Sequence, residues 1–260
     1  MGLLLSTRRA LLGAVAAWTP ASVTSGGYSP EHWYRSDSGL WQDAGITAAA
    51  ADGDVVGRWE DLSANADHTN QAVAGSKPTL QNGAGDLLNG HPVVRFDGAD
   101  DWLQGPFTTG GALAQPFIVL AVAELDVTVV DDNSSRTLVD GQGGTRMLLR
   151  QWSGTIPDCW AIYAANYVQG GNSDSNWNIW TALFNGVASQ FWHNGVSEGV
   201  GNSGADNAPG ITIGADTSGN VGWKGDATEI LIYDANLSDA DKNQVGAYLG
   251  RRYGLTYTNI

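Results

Sequence analysis

From Tyr28 onward, short runs of β-forming residues alternate with Gly, Asn, Asp and Ser, and no repeat of fixed period appears. Runs of this kind favour strands, and the residues between them favour turns. The pattern predicts an all-β fold, an antiparallel sandwich, and argues against a solenoid or a propeller. The 35 glycines and the low charged fraction of 15%, against a typical ~25%, also fit a turn-rich β protein.

The hydrophobic runs place ten strands and one helix. The Asn185-Gly186 pair predicts a tight hairpin turn with positive φ. A helix is predicted to begin after Ser238, which can cap its first turn, and to end at Gly254. The predicted strands cover residues 32–35, 92–96, 116–125, 136–139, 146–152, 159–164, 176–184, 187–193, 211–213 and 227–233.

Charge and cysteine content narrow the function. The formal net charge of −14 repels phosphate backbones, so the sequence argues against a nucleic-acid partner. Cys159 is the single cysteine, which excludes an intrachain disulfide and a cysteine-rich zinc site. No apolar run reaches the ~18 residues that a membrane span requires.

Residues 1–27 differ from the rest of the chain. Ser6-Thr7-Arg8-Arg9 followed by an apolar run resembles a twin-arginine export leader, although an apolar Leu3-Leu4-Leu5 precedes the arginines. The alternative is an N-terminal arm that docks into a larger assembly and there contacts virion proteins. We expect the arm, because its apolar residues would otherwise be exposed.

Four ordered segments resemble one protein family. LamG-like domains of the concanavalin A-like lectin/glucanase superfamily, of the type found in phage and secreted bacterial proteins, carry similar segments. Ala64 departs from the family pattern, which has glycine there. The segments are PEHWYRSDSG at 30–39, WEDLSAN at 59–65 with Gln71, NGHPVVRFDG at 89–98 with Asp101-Trp102-Leu103, and WKGDATEILIY at 223–233 with the predicted helix.

The resemblance implies a fold and a range of functions. The fold is a concanavalin A-like jelly-roll sandwich of two antiparallel sheets with one C-terminal helix, formed as one domain by residues 28–260. We expect a glycan-binding or adhesion module on a phage-type particle, located in the virion, that binds host-surface polysaccharide and could form a homo-oligomer. The alternatives are a purely structural virion protein and a secreted bacterial lectin.

Catalytic signatures are missing from the sequence. The glucanases of this superfamily carry their carboxylates as E-x-D-x-x-E on one strand, whereas the five glutamates here are isolated from one another. The four histidines are scattered, and no nucleophile or metalloprotease motif accompanies them. From this we predict that the protein is not an enzyme.

Calcium is the one cofactor that the sequence suggests. LamG-like domains often hold a calcium ion in loops, and carboxylate oxygens are its preferred ligands. Asp97, Asp100 and Asp101 form one acidic group, and Asp131 and Asp132 form another. A solvated acidic loop is the commoner explanation for either group, so the metal site stays open.

Tryptophans and arginines mark the expected sugar-binding surface. Sugars stack on aromatic rings while polar side chains bond their hydroxyls. Strand alternation predicts which side chains point away from the core, and a register error of one residue inverts the assignment. With Met147, Leu149, Ile162, Ile179 and Phe191 directed inward, the predicted glycan-binding residues are Arg146, Arg150, Trp152, Tyr163, Asn178, Trp180, Gln190 and Trp192.

Overall fold

The computed structural model describes residues 19–22, 26–108 and 111–260, which form 17 strands and one α-helix. The helix, α1, spans Asp239–Tyr253. The strands are β1 His32–Arg35, β2 Leu40–Trp41, β3 Arg58–Trp59, β4 Thr69–Asn70, β5 Thr79–Gln81, β6 Val93–Asp97, β7 Leu103–Pro106, β8 Phe117–Leu125, β9 Arg136–Asp140, β10 Leu148–Trp152, β11 Cys159–Tyr163, β12 Tyr167–Asn172, β13 Asn178–Phe184, β14 Ser189–His193, β15 Val196–Gly201, β16 Gly210–Ile213 and β17 Lys224–Tyr233.

Two antiparallel sheets form a sandwich, as the sequence predicts. Sheet A has the strand order β15-β14-β13-β8-β17-β6-β5, and β1 pairs with the second half of β17. Sheet B has the order β12-β11-β10-β9-β16-β7-β4-β3-β2. The large buried side chains between the sheets include Trp59, Trp160, Trp180 and Trp223.

The helix α1 covers the outer face of sheet A and makes a second hydrophobic core there. Val245, Leu249 and Tyr253 pack with Leu120 and Leu231 of the sheet. Strand β8 is therefore apolar on both faces, because one face meets sheet B and the other meets α1. The helix follows the prediction at both ends: the Ser238 hydroxyl accepts a hydrogen bond from the Asp241 amide, and Gly254 adopts φ 69°.

A buried carboxylate joins the helix to the sheet. Glu229 on β17 is fully buried and accepts hydrogen bonds from the Trp33 indole at 2.7 Å and the Tyr253 hydroxyl at 2.8 Å. The Tyr248 hydroxyl donates a third bond at 3.2 Å. Burial raises the pKa of Glu229 above its usual value, and these donors oppose that shift.

The segment WEDLSAN acts as a structural junction. Asp61 is buried and accepts hydrogen bonds from the amides of Trp33 at 2.8 Å, Ser63 at 2.9 Å and Asp67 at 3.1 Å. Its carboxylate also pairs with the His32 ring at 3.0 Å. These contacts of Asp61 stabilise the chain between β1 and β4, so the residues behind the resemblance in this segment have a structural role.

Most of the predicted arm, residues 1–18 and 23–25, lies outside the described residues. The part that is described forms a 3-10 turn at Pro20–Ser22, and the Pro20 carbonyl accepts a hydrogen bond from the buried Tyr233 hydroxyl at 2.9 Å. The division at residue 27 and the docking role stay predictions. Within the described part of the chain, no helix has the length and apolar character needed to cross a membrane.

Candidate functional site

Four of the eight predicted glycan-binding residues lie together on the outer face of sheet B. Met147 and Leu149 point into the core, which turns Arg146, Arg150 and Trp152 outward as the alternation predicts. Arg150 and Trp152 lie on β10, and their side chains project from the outer face of sheet B. Tyr163 reaches the same face from β11, because Leu148 lies opposite it in the antiparallel register.

The aromatic rings of this group form one cluster. Trp152 stacks on Tyr167 with ring centroids 4.4 Å apart, and Tyr163 lies 4.6 Å from Tyr167. All three rings are partly exposed. We call Trp152, Tyr163 and Tyr167 the aromatic cluster. Tyr167 was missed in the sequence because β12, a glycine-containing strand, was not predicted. The signal that could have found it is the short turn after Tyr163, which places Tyr167 directly opposite Tyr163 on the next strand.

Two arginines border the aromatic cluster. The Arg146 guanidinium lies 5.8 Å from the Tyr163 ring centre and pairs with Asp140 at 2.7 Å. Arg150 is largely buried and donates a hydrogen bond to the Tyr167 hydroxyl at 3.4 Å. Burial raises the pKa of Asp140 to about 6 despite the arginine, and burial lowers the pKa of Arg150.

A row of side chains continues from this cluster across sheet B. Each member lies directly opposite the next in the strand register, from β2 through β3, β4, β7 and β16 to β9. With about 4.8 Å between strands, six strands make a row roughly 24 Å long. We call this the polar row. Its members are Trp41, Arg58, Asn70, Gln104, Thr212 and Asp140.

Several polar atoms on this face have no protein partner among the described residues. They include Nε1 of Trp41, Oδ1 of Asn70 and Oγ1 of Thr137. Buried polar groups are almost always hydrogen-bonded to protein, water or ligand. Sequence reasoning missed the row because β2, β3 and β4 are two residues long and are not neighbours of β9 and β16 in the chain.

Trp180 and Asn178 are corrections to the predicted site. Trp180 is buried between the sheets, with its ring 4.5 Å from that of Trp160. Asn178 is also buried, and its amide nitrogen donates to Asp174 at 2.9 Å. The predicted register of β13 is off by one residue, since Ile179 faces α1 instead of the core between the sheets.

Trp192 and Gln190 point away from the core between the sheets, as predicted. They do not lie on the surface that carries the other predicted glycan-binding residues. Both lie on the outer face of sheet A, because Phe191 points into the main core. Trp192 is buried beneath α1, where the Lys242 ammonium lies 4.9 Å from its ring centre. Gln190 is partly exposed and donates to the Ser197 hydroxyl at 3.1 Å. These two residues are on the opposite side of the molecule from the aromatic cluster.

The acidic loop after β6 has the geometry of a possible cation site. Ligand oxygens of Asp97, Asp100 and Asp101 lie within 4.8 Å of one another. Burial, with the charges of its two neighbours, raises the pKa of Asp101 to about 6. Hydrogen bonds already occupy part of the set, since Asp101 accepts from the Asp97 amide and Asp100 from the Ser76 hydroxyl, each at 3.0 Å. Calcium here stays a prediction.

A pair of carboxyl groups was missed because its members lie on different strands. Glu124 on β8 is directly opposite Asp226 on β17, although about a hundred positions separate them in the chain. A search for a motif on one strand cannot detect such a pair. Both side chains line a cavity on the outer face of sheet A.

Known structures share this fold at low sequence identity. A sialidase of Trypanosoma rangeli in complex with sialic acid is 14% identical, with a TM-score of 0.55 over 88% of this chain and 34% of that chain. An arabinofuranosidase complexed with arabinofuranosyl-α-1,2-xylobiose is 13% identical, with a TM-score of 0.62 over 91% of this chain and 65% of that chain. This chain therefore spans about one third of the sialidase and about two thirds of the arabinofuranosidase.

A third solved structure is similar over nearly its whole length. Domain 4 of a GH43 extracellular arabinanase from Geobacillus stearothermophilus, in complex with arabinotriose, is 12% identical, with a TM-score of 0.52 over 84% of this chain and 98% of that chain. The sequence matches no protein-family model and no curated protein. The sandwich is thus established by structure, and the LamG-like assignment remains a sequence resemblance.

These matches overturn the prediction that the protein is not an enzyme. The similar structures are parts of a sialidase and of an arabinofuranosidase, and a domain of an arabinanase. The prediction relied on the missing E-x-D-x-x-E spacing, and carboxyl groups on neighbouring strands, such as Glu124 and Asp226, do not register in a one-strand motif. The absence of a one-strand motif does not exclude catalysis on this fold.

Proposed function

We propose that this protein binds carbohydrate on the outer face of sheet B. The observation that carries the proposal is the junction of the aromatic cluster with the polar row. Aromatic rings accept the apolar faces of sugars, and the neighbouring arginines, amides and hydroxyls bond the sugar hydroxyls. The Arg146 side chain is 24% exposed beside the Tyr163 ring, so its guanidinium is accessible to a ligand.

The shape of the surface favours a chain of sugars over a single ring. The polar row crosses six strands, and the aromatic cluster extends the surface over β10, β11 and β12. A ligand lying across the strands would contact side chains from each of them. The similar structures are complexes with sialic acid, arabinotriose and arabinofuranosyl-α-1,2-xylobiose, and these ligands support carbohydrate as the ligand class.

The biological setting of this binding is a further part of the proposal. We propose adhesion to host-surface polysaccharide by a phage-type particle, which rests on the four sequence segments that resemble phage and secreted bacterial domains. A structural virion protein and a secreted lectin are the rivals. The structural rival predicts that the aromatic cluster is buried against another subunit in an assembled particle.

Loss of one ring of the aromatic cluster tests the binding surface. Stacking on an exposed aromatic ring contributes on the order of 1 kcal/mol, so Trp152→Ala should weaken carbohydrate binding roughly fivefold. Affinity electrophoresis in gels containing arabinan or bacterial capsular polysaccharides measures the change.

Trp177→Ala is the matched control. It removes a partly buried indole from the α1 side of the molecule, where it packs against the second core. Binding should be unchanged in this variant. The proposed surface would be contradicted if every polysaccharide that retards the wild type retarded Trp152→Ala equally. It would also be contradicted if Trp177→Ala weakened carbohydrate binding as much as Trp152→Ala.

A further inference from the structure

A cavity of about 580 Å³ opens on the outer face of sheet A, on the opposite side of the sandwich from the aromatic cluster. It lies where β5, β6, β8 and β17 run beyond the region covered by α1. Its volume falls within the range of small-molecule sites. Strand pairing places three charged side chains side by side on its floor: Arg95 is opposite Asp226, and Asp226 is opposite Glu124.

Two of these three groups satisfy each other. Arg95 donates to both carboxylate oxygens of Asp226, each at 2.8 Å, and also to Asp86 at 3.2 Å. These partners hold the pKa of Arg95 above its usual value. Nε and Nη2 of the arginine are therefore engaged within the protein.

Glu124 differs from its neighbours on the floor. Within the described residues, no side chain donates a hydrogen bond to its carboxyl group or pairs with it within 4.0 Å. Partial burial and the negative charges of Asp226 and Asp126 raise its pKa to about 7, and Arg95 opposes this shift. A half-buried carboxyl group without a donor has capacity for a ligand that supplies one.

The remaining charges of the wall favour a cation. The two lysines are already bonded within the protein: Lys77 to the Gln42 carbonyl at 2.8 Å and Lys224 to the Thr128 hydroxyl at 2.7 Å. Five carboxyl groups and three cationic groups line the cavity, which leaves an excess of negative charge. The carboxyl groups other than the opposed pair are Asp97, Asp101 and Asp126.

We propose that this cavity binds a small ligand through its ammonium group, with the carboxylate of Glu124 as the acceptor. The inference does not rest on carbohydrate binding at sheet B, since the two surfaces lie on opposite faces of the sandwich. An ammonium group pairs with the ionised form of Glu124, so binding expels the proton that the free site holds near neutral pH. Affinity should therefore rise between pH 6 and pH 8 for an amine that stays protonated in that range.

Calorimetry with a matched pair of probes tests the proposal. The probes are 2-aminoethyl β-D-glucopyranoside and its neutral analogue 2-hydroxyethyl β-D-glucopyranoside. We expect the amine to bind at least tenfold more tightly at pH 8 and its affinity to fall several-fold at pH 6. Titrations at pH 7 in two buffers of different ionisation enthalpy should show proton release on binding.

Glu124→Gln is the decisive variant. It keeps the shape of the side chain, and its melting temperature reports whether the fold is intact. We expect it to lose the preference for the amine and the proton release, whereas Trp152→Ala keeps both. Equal binding of the two probes by the wild type, no binding of either, or an unchanged preference in Glu124→Gln would overturn the proposal.

Discussion

Trp180 shows how much of the stability of this molecule depends on single aromatic residues. Its ring lies 4.5 Å from that of Trp160, 6.5 Å from that of Phe191 and 4.7 Å from that of His193. Trp152 has a similar ring but lies on the outer face of sheet B, where solvent reaches it. The same residue type therefore serves packing in one strand and the candidate binding surface in another.

Replacing these two tryptophans should lower the stability by different amounts. Trp180→Ala leaves a large void between the sheets and should lower the free energy of unfolding by about 3 to 5 kcal/mol. Trp152→Ala removes a partly exposed ring, and we expect a loss of about 1 kcal/mol. Urea unfolding followed by circular dichroism measures both. Similar losses in the two variants would mean that the aromatic cluster is part of the core.

At the scale of elements, a strand with one polar face could be oriented from the sequence, and a strand with two apolar faces could not. In β10, Arg150 and Trp152 alternate with core residues, and the sequence gives their direction correctly. In β13, Ile179 and Leu183 face α1 while Trp180 and Phe184 face sheet B. Because both sets of side chains are apolar, the alternation does not show which set faces α1 and which faces sheet B.

The hairpins show a related limit. Asn185-Gly186 does join β13 to β14, and Gly186 has the predicted positive φ, at 54°. The connection is longer than predicted, however, because Asn185 has φ −151° and Gly186–Ala188 form a 3-10 turn. The tight two-residue turn with positive φ lies one hairpin later, at Asn194 and Gly195 with φ 52° and 81°. Identical Asn-Gly pairs thus adopt different turns, because the chain around each of them packs differently.

Glu229 couples three elements, β1, β17 and α1, and its replacement tests that coupling. In Glu229→Gln, an amide NH₂ replaces one acceptor oxygen and faces one of the buried donors, the Trp33 indole at Oε1 or the Tyr253 hydroxyl at Oε2. We expect a loss of about 1 to 3 kcal/mol in the free energy of unfolding. Glu60→Gln is the control, because its pairing with Arg58 at 3.5 Å is partly exposed and should contribute less than ~1 kcal/mol. Equal effects of the two changes would contradict the coupling.

At the scale of the whole molecule, the two outer faces of the sandwich differ in polarity. Sheet A carries Ile118, Leu120 and Val122 on the outside, and α1 buries them. Sheet B carries the polar row on its outside, and within the described residues no helix covers it. The helix is thus needed on one side only, and the proposed carbohydrate surface lies on the other. This asymmetry is invisible in the sequence until the strand order is known.

Titrating carboxyl groups make the stability of the whole molecule depend on pH in a defined direction. Burial raises the pKa of Asp101 and of Asp140 to about 6, and burial with nearby negative charge raises that of Glu124 to about 7. Between the ordinary pKa of about 4 and these values, the folded protein binds more protons than the unfolded chain. The lowered pKa values of His68 and His91 act in the opposite direction, but the upward shifts of the three carboxyl groups are larger. The free energy of unfolding should therefore fall as the pH rises from 5 to 7 and level off above 7.

Groups with lowered pKa values set the acidic limit of this dependence. Hydrogen bonds from His32 and the Trp33 amide outweigh burial and hold the pKa of Asp61 below its usual value, so its contribution to stability is lost as the pH falls below about 4. Together with the net charge of −14, whose self-repulsion grows with pH, this predicts maximal stability near pH 4 to 5. Urea titrations from pH 3.5 to 8 measure the profile, and Glu124→Gln should flatten its slope between pH 5 and 7. Stability that rises over that interval would show that ionised carboxylates in the folded protein are better compensated than their burial implies.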